Sequence, residues 1–151
     1  MKKAFISLYR LFLPLVLGSI VGLIINSSMD YTTLAKPPLS PPSILFPIVW
    51  SIIYLLLGIS YYIYRKDYND KDTVRLYYIQ LIVNLLWSVI FFTLKLRLLS
   101  IIWIVILDIL VIRLYKLFKK DKPISAYLNI LYIIWILFAT YLNIGIYILN
   151  K

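Results

Sequence analysis

The chain contains no cysteine and no histidine, and only four glycines in 151 residues. Without thiols there is no disulfide, no thiolate nucleophile and no Cys-ligated zinc; without imidazole there is no His base and no His-ligated haem. Neither G-x-x-x-x-G-K-[ST] nor G-x-G-x-x-G occurs, which excludes the common phosphate-cradling loops. Charge is scarce as well. Sixteen Lys or Arg and six acidic residues make up 15% of the chain, too little to clothe a domain of this size in water. Any chemistry from this alphabet rests on Tyr, Trp, Asp or a bound chromophore.

What remains is apolar: 63% of residues are hydrophobic and the mean hydropathy is +0.91. A helix needs about 20 residues to cross roughly 30 Å of hydrocarbon. Five runs meet that length, near 5–25, 44–64, 75–94, 99–118 and 125–149. They are too long and continuous for barrel strands, so each is read as a helix. The fold expected is one all-α membrane domain, residues 1–151, of five transmembrane helices. The basic, apolar start resembles a secretory signal, but Arg10 interrupts it and no A-x-A-like site follows, so it is read as a retained first helix.

Lys2, Lys3, Arg10, the 65–75 loop (Arg65, Lys66, Lys71, Arg75) and the 113–122 segment (Arg113, Lys116, Lys119, Lys120, Lys122) fall on one side of such a bundle. Lys36, Lys95, Arg97 and Lys151 fall on the other. The excess of cations puts the N-terminus in the cytoplasm and the C-terminus outside. The net charge of +10 is thereby accounted for by topology and anionic membrane lipids, with no nucleic acid required.

Aromatic residues are abundant: four Trp, fourteen Tyr and seven Phe. Some belong at the bilayer interfaces. Others recur at helical spacing: Trp50, Tyr54, Gly58 and Tyr62; Gln80, Asn84, Trp87 and Phe91; Tyr132, Trp135, Ala139 and Asn143. Each stripe serves equally as packing glued by amides and small residues or as the wall of an aromatic cavity with polar anchors. Asp108, deep within the fourth run, faces either a structural hydrogen-bond partner or a cavity.

Between the first two runs lies NSSMDYTTLAKPPLSPP, with Pro37, Pro38, Pro41 and Pro42. Prolines stiffen the segment and it is long for a helix–helix connection. It reads as a lid over a spacer, spanning about 26–43. In the first run, Gly18 and Gly22 form a small-xxx-small motif suited to close helix approach, within the chain or in a homodimer.

DYTTLAKPPLSPPSILFPIVWSIIYLLLGISYYIY resembles the first loop and second helix of the translocator protein family, also called tryptophan-rich sensory proteins or peripheral-type benzodiazepine receptors. QLIVNLLWSVIFF, LDILVI and YIIWILFATYLNIGIYILN resemble its third, fourth and fifth helices, in order over nearly the whole chain. The resemblance implies a membrane receptor or sensor, of bacterial cell-membrane type. Its pocket among the helices, capped by the first loop, takes porphyrins such as protoporphyrin IX or haem and similar flat hydrophobic ligands, with no cofactor required. Tyr31, Trp50, Asn84, Trp135 and Ala139 carry over as lining residues. Tyr54, Trp87, Tyr132 and Asp108 join them from the stripes, and Lys36 is a candidate partner for a propionate. With neither His nor Cys, a metal-free porphyrin fits better than haem. Two alternatives stay open: light-dependent degradation of protoporphyrin through Trp50 and Trp135, as implied by some bacterial members, and tetrapyrrole transport. Asp30, Ile44 and Leu131 depart from the family pattern, where Trp, Trp and Pro are common. The last departure predicts a fifth helix without a bend. A sterol-contact pattern, Leu142, Tyr147 and Lys151, is one that Tyr-rich helix ends meet easily.

Overall fold

A backbone amide in hydrocarbon finds no water, so each apolar run must satisfy its own N–H and C=O groups within a helix. The computed structural model describes residues 2–151, with side chains from Leu8 onward, and holds six α-helices and no strand among the described residues. They are α1 (Lys2–Asn26), α2 (Leu45–Asp67), α3 (Lys71–Ser88), α4 (Arg97–Asp121), α5 (Pro123–Tyr127) and α6 (Ile130–Leu149). Five stretches are long and apolar enough to span a bilayer: Leu8–Asn26, Leu45–Asp67, Lys71–Thr93, Arg97–Asp121 and Pro123–Leu149. The protein is therefore an all-α integral membrane bundle. The side chains of Lys2 and Lys3, counted above among the orienting cations, lie outside the described residues.

α1 packs principally on α2 through close backbone approach. A methyl group at Gly58 would lie 1.8 Å from the Leu11 carbonyl oxygen, and one at Gly18 would lie 2.2 Å from the Tyr54 ring. Half of the Gly18/Gly22 motif is thus engaged within the chain, while a methyl at Gly22 would meet nothing within 4 Å.

α3 does not end at Ser88 but continues through one π-helical turn, Val89–Thr93, closed by the Leu94 N–H on the Val89 carbonyl at 2.9 Å. Such a turn inserts a residue and rotates the face that follows. Lys95, at φ 58°, then reverses the chain into α4.

The fifth span is not one continuous helix: α5 ends at Tyr127 and α6 starts at Ile130, so the break precedes Leu131, the position of the absent proline. Side chains brace the break. Ser60 Oγ donates to the Ser125 carbonyl at 2.7 Å and Ser125 Oγ to the Ser60 carbonyl at 2.9 Å, while Asn129 Nδ2 donates to Ser60 Oγ at 2.6 Å and the Ser125 carbonyl at 2.8 Å. These bonds also pin the break to α2.

The interior divides in two along the bundle. One cluster, at the end carrying Arg65 and Lys122, centres on Tyr61, Tyr64, Tyr77, Leu107, Leu114 and Phe118. The other centres on Tyr31, Phe46, Trp87, Phe91, Phe92, Ile104 and Ile146. Trp50 and Trp135 pack against both.

Candidate functional site

The segment between α1 and α2, residues 27–44, is tied down at several points. Arg97 donates through Nη2 to both Asp30 carboxylate oxygens, at 2.7 and 2.8 Å, and through Nη1 to the Phe91 carbonyl. Its guanidinium lies 4.3 Å from the centre of the Phe91 ring. Partial burial alone would raise the Asp30 pKa, but the Arg97 hydrogen bonds and charge, with Lys95 3.6 Å away, outweigh it and hold the carboxyl below its ordinary value. At the far end of α6, Asn150 pairs reciprocally with the Ala35 backbone at 3.0 and 2.8 Å. The Tyr141 hydroxyl donates to the Pro38 carbonyl at 2.8 Å, and Pro37 sits so close on Gly145 that a methyl there would lie 2.5 Å from its Cγ. The stiff Pro-rich backbone presents these carbonyls outward because proline has no N–H to pair them internally.

Beneath this segment an aromatic group gathers around Trp50. Its ring centroid is 5.5 Å from Tyr54, 6.0 Å from Trp87 and 6.2 Å from Tyr132. A buried polar chain holds the group in place: the Tyr54 hydroxyl donates to Asn84 Oδ1 at 2.6 Å, Asn84 Nδ2 to the Tyr132 hydroxyl at 2.7 Å, and that hydroxyl to Gln80 Oε1 at 2.8 Å. Gln80 Nε2 ends the chain on the Tyr77 carbonyl at 3.0 Å. Every link is satisfied, which fixes the register of α2, α3 and α6 against one another.

Two cavities adjoin this group. A groove of about 630 Å³ opens between α1 and α2, walled by Gly18, Gly22, Met29, Trp50, Tyr54 and Ser88 among others. A void of about 10 Å³ lies deeper, against Tyr31, Trp87, Ala139 and Asn143. Phe46 and Phe92 line both, their rings meeting edge to face at 6.2 Å. The two rings are thus a wall shared by both spaces.

The residues expected from sequence divide accordingly. Trp50 and Tyr54 line the groove, and Tyr31, Trp87 and Ala139 line the void. Asn84 and Tyr132 stand one layer behind, orienting Tyr54. Trp135 packs 6.0 Å from Phe46 and lines neither cavity. Lys36 turns away, its ammonium on the carbonyls of Tyr31, Thr32 and Leu34 at 3.2, 3.4 and 3.0 Å, so it braces the loop and does not reach either cavity. Asp108 lies between α4 and α6, where it accepts from Thr140 Oγ1 at 2.8 Å, away from both cavities. The roomy space is thus lateral, beside α1, rather than central among the helices.

Sequence reading missed Phe46, Phe92 and Ser88. Phe46 extends the Trp50–Tyr54–Gly58 stripe one turn back, a signal that was present. Phe92 follows Asn84 and Ser88 at intervals of four, so its spacing also carried a signal; it is buried beside Phe91 within the π turn. The Asp30–Arg97 pair joins residues 67 apart, beyond any local periodicity.

The sequence model of the TspO/MBR family matches residues 10–149. A tryptophan-rich protein TspO from Archaeoglobus fulgidus is 37% identical over 80% of this chain and 79% of its own length. One from Chlorobaculum tepidum is 35% identical over 82% and 81%. A tryptophan-rich sensory protein from Cereibacter sphaeroides is 26% identical over 81% and 77%.

Proposed function

The chain belongs to the TspO/MBR family, and from that premise we propose that it is a membrane receptor for flat, mostly apolar ligands of the porphyrin class, held in the α1–α2 groove under the loop. The observation that carries this reading is the groove of about 630 Å³ with Trp50 in its wall. That volume lies within the roughly 300–1,000 Å³ usual for small-molecule sites, and an indole backed by Tyr54 and Trp87 offers a ring face for stacking. A relative named as a sensory protein fits a receptor role.

The donor set favours a metal-free macrocycle. The phenols that could ligate haem iron are engaged: Tyr54 donates to Asn84, and Tyr31 donates to the Pro41 carbonyl at 2.9 Å. Trp50 keeps light-dependent degradation as a second reading, since an oxidisable indole lies where the ligand would stack. By the distribution of Lys and Arg, the end bearing Arg65, Lys66, Lys116, Lys119 and Lys122 faces the cytoplasm.

An absorbance titration of protoporphyrin IX into the purified protein in lipid nanodiscs, first dark and then illuminated, tests the assignment. A saturable shift of the main porphyrin band at one ligand per chain, stable in the dark, is expected. Absence of saturation overturns the receptor reading. A new spectral product under light moves the protein to the degrading class, and porphyrin flux across liposomes moves it to the carriers.

A further inference from the structure

Three buried polar groups near this shared wall have atoms without a hydrogen-bond partner among the described residues: the indole N–H of Trp87, the indole N–H of Trp135 and the Asn143 amide. Trp87 and Asn143 are 2% and 1% exposed, and both line the void of about 10 Å³. An indole N–H donates and does nothing else. Leaving such a donor buried and unpaired is costly. Asn143 uses one edge of its amide on Ser100 Oγ at 2.8 Å and leaves the other free.

The void is about the size of one water or one oxygen atom, far too small for a ring. Phe46 and Phe92 line both this void and the groove. Neither set of lining residues includes a cation, and the nearby cations are engaged elsewhere, Lys36 on loop carbonyls and Arg97 on Asp30. A carboxylate driven into this end would be buried without a counter-charge, which is unfavourable.

We propose that the void is an acceptor socket: the ligand body lies in the groove and one neutral carbonyl oxygen projects past Phe46 and Phe92 to accept from Trp87 Nε1, with Asn143 beside it. The preferred ligand therefore carries an ester, ketone or amide on its inner edge, and any ionised acid groups point toward the groove mouth. This inference rests on the porphyrin-class reading above and specifies which edge of the ligand the site recognises.

The test compares protoporphyrin IX dimethyl ester, the free diacid, and an alkyl porphyrin with no peripheral oxygen, against wild type and Trp87→Phe in nanodiscs. The ester is expected to bind wild type at least as tightly as the diacid. Trp87→Phe should weaken the ester about tenfold, the worth of one buried hydrogen bond, and the alkyl porphyrin less than twofold. Equal losses for both ligands overturn the socket and leave Trp87 a packing residue. A diacid that outcompetes the ester also overturns it. Failure of all three porphyrins to bind wild type would instead defeat the porphyrin-class reading. Should Trp87→Phe not fold, the wild-type protein labelled with ¹⁵N at tryptophan decides: with the ester bound, one indole N–H resonance should lie downfield of its position with the alkyl porphyrin bound, the ring current being common to both, and identical positions with the two ligands sink the proposal.

Discussion

Arg97 grips Asp30 by both carboxylate oxygens, at 2.7 and 2.8 Å, and with the same guanidinium reaches the carbonyl of Phe91. One side chain therefore ties the loop after α1, the π turn that ends α3 and the start of α4. One guanidinium nitrogen serves both carboxylate oxygens and only 13% of the Arg97 side chain is exposed, so the pair is better placed than a surface ion pair.

Breaking this tie should free the loop. In Arg97→Gln, limited proteolysis between Met29 and Ser43 is expected to accelerate several-fold, and bound porphyrin should slow it again. Reversing the pair, Asp30→Arg with Arg97→Asp, should recover part of the protection; cleavage as fast as in the single variant would deny the contact its role. Its pH dependence has a defined sign. Because the Asp30 pKa is held below its ordinary, unfolded value, the tie is fully present above that value and is lost as pH falls through the lower, folded one. Cleavage at pH 5 and pH 8 should accordingly be alike.

At the α1–α2 crossing, Gly58→Ala should lower the melting temperature in detergent by several degrees, since the added carbon would lie 1.8 Å from backbone that cannot rotate away. Gly22→Ala has open space around it and should melt within about a degree of wild type. The pair of measurements separates packing within the chain from any homodimer seam. If crosslinking in bilayers yields a dimer that Gly22→Ile weakens, the seam runs through that exposed glycine; an unaffected dimer places it elsewhere.

The polar chain through Asn84 should respond to Asn84→Leu, which strips the Tyr54 and Tyr132 hydroxyls of a partner in the bundle interior. The expected loss is about 1–3 kcal/mol of unfolding free energy. Tyr54→Phe should cost less, since it leaves a single amide oxygen unpaired. Thermal melts of both variants against wild type check the order, and a neutral Asn84→Leu would mean that the chain does not fix the helix register.

The two tryptophans named from the sequence ought now to behave differently. Trp50 walls the groove whereas Trp135 packs behind Phe46. Trp50→Phe should weaken protoporphyrin binding by about tenfold or less, as one stacking partner would, and Trp135→Phe by less than that. If light produces a new product in the parent, Trp50→Phe should abolish it while most porphyrin stays bound. Equal behaviour of the two variants would remove the distinction drawn from the groove.

Much of the architecture could be read in advance because hydrocarbon permits so few backbone solutions: five long apolar runs imply five spanning helices. The stripes on α3 and α6 likewise face inward as their spacing implies, with Gln80, Asn84, Trp87 and Phe91 buried together. What escaped were departures from regular helix. Periodicity assumes one turn size, so the π turn at Val89–Thr93 cannot appear in it. The break at Leu128–Asn129 is bonded to Ser60 on another helix, a contact that local sequence around position 131 does not show. Lys36 looked like a ligand partner only because a cation in a loop has no spatial address until the carbonyls of Tyr31, Thr32 and Leu34 are placed around it.

Of the five spanning stretches the one in α1, Leu8–Asn26, is the least enclosed. The groove lies along its joint with α2. A molecule lodged there completes a seam, bonding a loosely held helix to the remainder of the protein. Ile20 and Ile24, on that helix but outside the groove lining, are exposed, so occupancy would alter the footprint the protein presents to its bilayer neighbours. A receptor arranged in this way can report its ligand sideways, through the membrane plane, to whatever touches α1.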